Sequence, residues 1–259
     1  MKTIKAISIS DQKGMRKKNI DSTHLIADFG LENDAHAGDW HRQVSLLAEE
    51  SIQSMRDKGL DVTAGNFAEN ITTEGVDLTR IAVGTHITIG ETQLVISQLG
   101  KICHTPCAIY HQAGDCVMPR EGIFAVVKRG GDIKVGDPLE IKSTVTQSAA
   151  IITEKGTQTT ALKTLIEKKC NPAFVRLDTI NNKKGGTLKA IIEDLASTQK
   201  TKDIFIIDIT GELGLTLASL PLTKLASNRY SYKESTIYHC RPMSPSTSVQ
   251  VEDFETLMH

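Results

Sequence analysis

The chain has 259 residues, 30 Lys and Arg against 31 Asp and Glu, 39% apolar and 24% charged residues, and five cysteines. That length holds two domains of ordinary size, each with its own core, and no run of about eighteen apolar residues is present, which excludes a membrane-spanning helix. Residues 1–142 carry 16 basic against 19 acidic side chains and residues 143–259 carry 14 against 12, a balance that argues against a general nucleic-acid binder.

The amino terminus, MKTIKAISIS, has neither the apolar core nor the cleavage site of a secretory signal, so a cytoplasmic location is expected. Disulfides are uncommon there. An odd number of cysteines then directs attention to thiol chemistry or metal ligation.

In chain order, Lys5 to Ser10 alternates so that Ile7 and Ile9 share a face, the pattern of a half-buried strand. A polar, glycine-bearing loop with His36, Trp40, His41 and Arg42 occupies Asp28 to Leu47. Ala48, Ile52 and Met55 follow helical spacing, and Gly59 is placed to end that helix. Asn66, Glu69 and Asn70 lie in GNFAENIT, where they either brace a turn or meet a ligand. Ile87 and Ile89, then Leu94 and Ile96, alternate about Gly90-Glu91 and predict a hairpin.

Three cysteines (Cys103, Cys107, Cys116) and two histidines (His104, His111) fall within fourteen residues between the strand-like runs Gln93–Ser97 and Ile123–Val127. A loop held between two strands is where chemistry usually sits. Further short alternating pieces surround Gly136 and Asp137, so residues 1–142 read as a mostly-β, barrel-like or sandwich domain.

After a polar linker at 143–148 the pattern changes. Ala149–Thr153, Ala173–Leu177 and Ile204–Ile209 read as strands, separated by helices marked by Leu162, Leu165 and Ile166, then by Leu188, Ile191, Ile192 and Leu195. This alternation predicts an α/β domain with a parallel sheet over 149–259, whose ligand edge would carry Asp208 and a loop at Thr210–Thr216 with Thr210, Gly211 and Gly214. The last forty residues give no clear pattern.

The pieces DAHAGDWHRQVSLL, GNFAENITTEG, VGTHITIG, QLGKIC and REGIFAVVKRGGDIKVGDPLEI, in this order, resemble the MOSC domain family (molybdenum cofactor sulfurase carboxy-terminal domain) in its stand-alone form. The resemblance implies a mostly-β barrel-like fold. It also implies handling of the molybdenum cofactor or its sulfur, with a cysteine thiolate as metal ligand or persulfide carrier, and molybdoenzymes or cofactor-biosynthesis proteins as partners. Distance from the strand end selects Cys103, while the family's Pro-Cys pair selects Cys107. The second half weakly resembles a degenerate molybdopterin-binding domain of the molybdopterin adenylyltransferases.

A thiolate is a soft donor suited to a heavy transition metal, and neighbouring cations such as Lys101, His104 and Arg120 would favour that ionised form in Cys103 or Cys107. His36, His41 and Arg42 suit the phosphate of a pterin, with Asn66, Glu69 and Asn70 as further contacts. The competing arrangement is a structural zinc ion on Cys103, Cys107, Cys116 and a histidine, although a second close pair is missing. Whether the protein is a sulfur transferase, a molybdenum-dependent reductase or a non-catalytic carrier stays open at this level.

Overall fold

The computed structural model describes residues 1–13, 15–100, 108–154, 156–180, 185–208, 212–226 and 228–240. Lys101, Cys103, His104, Cys107, Thr210 and Gly211 therefore lie outside the described residues. The chain divides into two compact units, Met1–Thr146 and Gln147–His259.

The first unit contains β1 (Thr3–Ile9), β2 (Lys18–Ile20), β3 (Ser22–Ile26), β4 (Gly30–Leu31), β5 (Val44–Ala48), α1 (Glu49–Asp57), β6 (Ile71–Glu74), β7 (Thr85–Ile89), β8 (Thr92–Leu99), α2 (Ala108–Ala113), α3 (Met118–Glu121), β9 (Ile123–Arg129), β10 (Gly131–Lys134) and β11 (Leu139–Val145). Eight strands form one sheet in the order β11-β7-β8-β9-β5-β6-β1-β2, and β10-β3-β4 form a second. Pro138, just before β11, bridges Thr3 of β1. The large sheet thus curls back toward its own start, as the mostly-β, barrel-like expectation requires. β5 and β6 run parallel, which antiparallel turns cannot achieve; α1 supplies the crossover.

β5 shows how sequence builds two layers. All five of its residues are buried, and the two-residue period of a strand sends Leu46 into the barrel interior with Ile4, Ile7, Leu94 and Ile96, and Leu47 into a second cluster with Ile52 and Met55 of α1. Val62, Phe67, Ile109, Cys116, Val117, Met118 and Phe124 complete that second cluster. The residues after the cysteine-rich segment are therefore anchored beneath the helix.

The second unit contains β12 (Ala149–Glu154), α4 (Thr160–Cys170), β13 (Val175–Ile180), α5 (Gly185–Glu193) continued by one π-helical turn (Asp194–Thr198), β14 (Asp203–Ile207), α6 (Glu212–Leu217), β15 (Thr223–Ala226), β16 (Arg229–Tyr232) and β17 (Ser235–Cys240). Its sheet order is β13-β12-β14-β17-β16-β15. The first four are mutually parallel, while β15 and β16 pair antiparallel. The α/β expectation holds, but the sheet is mixed rather than wholly parallel, and Glu212–Leu217 is a helix where a loop was expected. A carboxylate at the end of β14 explains that helix: Asp208 accepts the backbone N–H groups of Leu213 and Gly214 at 3.1 and 2.8 Å and so holds its first turn.

Candidate functional site

The cysteine-bearing stretch lies in sequence between β8 and β9. Leu99 pairs with Ile123, and the Gly100 N–H donates to the Gly122 carbonyl at 2.8 Å, so the residues that flank this stretch are hydrogen-bonded together. Gly100 has φ +67°, and a Cβ there would stand 2.2 Å from the Pro119 carbonyl oxygen. Only glycine fits this close backbone approach.

The loop between β4 and β5 packs against the same place. Its first anchor is Asp34, whose side chain is 0% exposed beside a Lys17 side chain that is 1% exposed. Lys17 Nζ donates to both carboxylate oxygens at 2.9 and 2.8 Å, Ser10 N–H to Oδ1 at 3.0 Å and Asn70 Nδ2 to Oδ2 at 3.1 Å. His36 Nδ1 stands 3.8 Å from Oδ2, with its side chain 25% exposed. Burial acts to raise the Asp34 pKa, but the neighbouring His36 ring, the hydrogen bonds and charge of Lys17 and the Ser10 N–H together hold it well below the usual carboxylate range.

The second anchor is His41. Its carbonyl accepts the Ser97 hydroxyl, and its Nε2 lies 2.8 Å from Gln98 Oε1. Gln98 Nε2 donates to the Gly100 carbonyl at 2.7 Å, which orients the amide. Its oxygen then faces the ring, so His41 Nε2 carries the proton. Trp40 Nε1 donates to the His36 carbonyl at 2.9 Å, and Arg42 Cζ lies over the Trp40 ring at 4.6 Å and 5.8 Å from the Phe124 ring centre. His41 and Arg42 are thus brought to the base of the cysteine segment, whereas His36 faces the buried carboxylate.

Asn66, Glu69 and Asn70 sit lower. Asn70 Oδ1 accepts the Ser45 N–H and hydroxyl, and its Nδ2 donates to the Ser8 carbonyl and to Asp34. Asn66 Nδ2 reaches Thr63 Oγ1 at 3.3 Å. Glu69, fully buried, accepts the Gly65 and Phe67 N–H groups at 2.5 and 3.1 Å and the Thr72 hydroxyl at 3.2 Å. Burial nonetheless pushes its pKa up. These bonds brace the turn that supports the apolar cluster under α1.

Glu69→Gln is expected to destabilise the first unit by about 1–3 kcal/mol, because one amide N–H would be turned toward a backbone donor. Denaturant unfolding followed by emission of Trp40, the single tryptophan, measures it.

Arg120 is 54% exposed and forms a two-pronged pair with Asp115 at 2.6 and 3.0 Å. Asp115 also accepts Lys58 Nζ and the Cys116 N–H, each at 2.8 Å. The Arg120, Lys58 and Cys116 donors hold the Asp115 carboxyl far below its ordinary value. Cys116 is 8% exposed within the apolar cluster. Among the described residues no group of three or more His, Cys, Asp or Glu is placed to hold a metal ion, and the Cys103 and Cys107 positions of the zinc arrangement lie outside them.

In the second unit Asp208 is buried at the carboxyl end of β14 and bonded to His239 Nε2 at 3.0 Å. Gly214 lies against both: a Cβ on it would be 3.0 Å from His239 Cε1 and 3.2 Å from Asp208 Oδ2. Sequence reasoning missed His239, because its strand lies in the Ser- and Thr-rich tail; the alternation Ile237-Tyr238-His239-Cys240 was the available signal.

The model of the MOSC domain family matches residues 33–140. That stretch is a MOSC domain. It contains the β4–β5 loop, the braced turn and both ends of the cysteine segment. The chain is similar to the crystal structure of the YuaD protein from Bacillus subtilis, with 19% identity over 54% of this chain and 96% of that one and a TM-score of 0.48. It is similar also to YiiM from Geobacillus stearothermophilus (20% identity, 55% and 76% coverage, TM-score 0.43) and YiiM from Escherichia coli (20%, 56% and 72%, TM-score 0.42). No curated protein matches the chain. The MOSC match stops short of the second unit, and no helix among the described residues is long and apolar enough to cross a membrane.

Proposed function

We propose that the protein binds the molybdenum cofactor and uses a cysteine thiolate, Cys103 or Cys107, as metal ligand or sulfur carrier in cofactor maturation or molybdenum-dependent reduction. The observation that carries the reading is the MOSC match across residues 33–140. Its support in the geometry is that His41 and Arg42 stand at the base of the segment bearing those two cysteines.

The donor chemistry fits a phosphate-bearing pterin. Arg42 offers a planar set of N–H donors that matches the geometry of a phosphate. Lys101 and His104 flank Cys103 in sequence and would favour its thiolate. When bound, the cofactor would supply a metal centre that takes a soft sulfur ligand and exchanges electrons with substrate. The chain's own contribution would be to hold the anionic end at Arg42 and to present the sulfur, while the His41–Gln98 bond keeps the β8 terminus in register with the loop. Molybdoenzymes or proteins of cofactor biosynthesis are the matching partners.

The test loads the full chain with cofactor and measures two reactions: transfer of labelled persulfide sulfur, and reduction of a hydroxylamino compound by an artificial electron donor. Either activity, abolished by Cys103→Ser or by Cys107→Ser, is the expected result and identifies the acting thiol. Stoichiometric cofactor binding without either reaction would make the protein a carrier. Stoichiometric zinc with no cofactor uptake would overturn the reading in favour of a structural metal site.

A further inference from the structure

We propose that the β13 edge of the second unit is a homodimer interface: two copies of this chain pair β13 with β13, antiparallel, in the one register that sets Leu177 opposite its own copy. The proposal concerns the second unit alone and does not depend on the cofactor reading.

The two edges of the six-stranded sheet are built differently. An open strand edge exposes a row of N–H and C=O groups on which another strand can form, and proteins blunt such edges with short strands, lysines and bulges. β15 has those protections: it is four residues long, carries Lys224, and its register with β16 breaks between Lys224 and Ala226. β13 has none of them. It is six residues long, contains no lysine or proline, and pairs with β12 through six consecutive residues without a break. Among the described residues no strand pairs with its outer side. Leu177, in the middle of it, is 43% exposed, and Thr179 on the same face is exposed as well.

Symmetry and charge then choose the register. Two identical edges that meet antiparallel are related by a two-fold axis perpendicular to the sheet, so the interface is isologous and each residue meets one from the same face of the other strand. The possible registers therefore place Arg176 against Arg176, Leu177 against Leu177, or Asp178 against Asp178 at the axis. The first and third centre like charges on it, which destabilises a strand pair, whereas the second sets Arg176 of each copy opposite Asp178 of the other, twice.

Within one chain these two side chains are already a pair, with Arg176 Nη2 donating to Asp178 Oδ1 at 2.9 Å, and both are mostly buried. The dimer extends each pair into an array of four charges of alternating sign. On the opposite face Leu177 packs on Leu177 and Val175 on Thr179, which covers the exposed leucine. A second copy of this chain is thus the partner that the edge fits, because the strand is complementary to itself in one register only.

The test measures the molar mass of the full-length protein by sedimentation equilibrium over a concentration series, for the wild type, Leu177→Lys and Leu177→Glu. The wild-type mass is expected to rise from 28.3 kDa toward twice that value. Each variant sets a charge against its own copy on the axis, so the dissociation constant should weaken by about three- to tenfold. A 1:1 mixture of the two variants, which sets Lys against Glu, should recover the dimer. Leu177 is exposed enough that neither change empties the core. If either variant fails to fold, amide hydrogen exchange on the wild type decides instead: protection within Val175–Thr179 should rise with protein concentration.

A wild type that is monomeric throughout overturns the proposal and leaves the edge to a strand of another protein. A dimer that both variants retain at full affinity overturns it too, because the interface then lies elsewhere. Variants that stay monomeric when mixed overturn the register centred on Leu177, and exchange in β13 that is independent of concentration overturns the pairing itself.

Discussion

Replacing Asp34 by Asn is expected to destabilise the first unit by about 3–5 kcal/mol, because it strands the buried ammonium of Lys17 without its counter-charge. Both side chains of the pair are almost wholly out of water, so neither solvent nor salt can substitute for the lost partner. The same change weakens the acceptors now used by Ser10 N–H, Lys17 and Asn70 Nδ2. Lys17→Met combined with Asp34→Asn is expected to recover part of the loss, since no unpaired charge is then buried. Urea unfolding followed by Trp40 emission reads the first unit directly. A fall in stability below about 1 kcal/mol for Asp34→Asn would mean that Lys17 finds another arrangement.

The pH dependence has a definite sign. The folded-state pKa of Asp34 lies below its ordinary 3.8, so its contribution is fully present above that value and is lost as the pH falls from there toward the folded pKa. Glu69 acts oppositely. Burial raises its pKa above 4.5, so its ionisation opposes folding and the first unit gains from this group as pH drops through the raised value. Asp34→Asn should therefore flatten the acid limb of the wild-type stability curve, whereas Glu69→Gln should remove the opposing trend.

Gly100→Ala is expected to lower stability by about 2–4 kcal/mol and to reduce the proposed sulfur-transfer or reductase activity. A left-handed backbone alone costs an alanine about 1–2 kcal/mol. Here the new methyl would also meet the Pro119 carbonyl oxygen at 2.2 Å, a backbone atom that cannot rotate aside, so the Gly100–Gly122 hydrogen bond between the residues that flank the cysteine stretch must open. Gly90→Ala is the control: its φ is +55° but nothing lies within 4 Å of the added carbon, so only the backbone cost, about 1–2 kcal/mol, should appear. Urea midpoints and the two assays compare them; equal effects would show that the loop base tolerates displacement.

Elements whose signal is local were legible in the chain. The alternation at Ile7 and Ile9 lies in β1, Ala48-Ile52-Met55 with Gly59 marks α1, and the runs on either side of Gly90 are β7 and β8. The α/β grammar after residue 149 likewise reflects periods of two and 3.6 residues that a short window contains. Boundaries drifted where pairing decides them: a strand expected at Ala173–Leu177 lies at Val175–Ile180, since its ladder with β12 begins only at Val175 opposite Ala149.

For the candidate site, sequence determined which residue types are present and in what order, and this was enough to indicate the MOSC resemblance over the first half and the two strands that frame the cysteine segment. Tertiary structure alone decided the partnerships. Lys17 and Asp34 are a buried pair seventeen positions apart, Arg120 is engaged by Asp115, Asn70 closes a network with Ser8, Ser45 and Asp34, and Arg42 lies over Trp40. In the second unit β17 comes to lie beside β14 and sets His239 against Asp208. The physical reason is that backbone periodicity is written within a few residues, while the pairing of a charge depends on which distant segment desolvates it, and no local pattern carries that information.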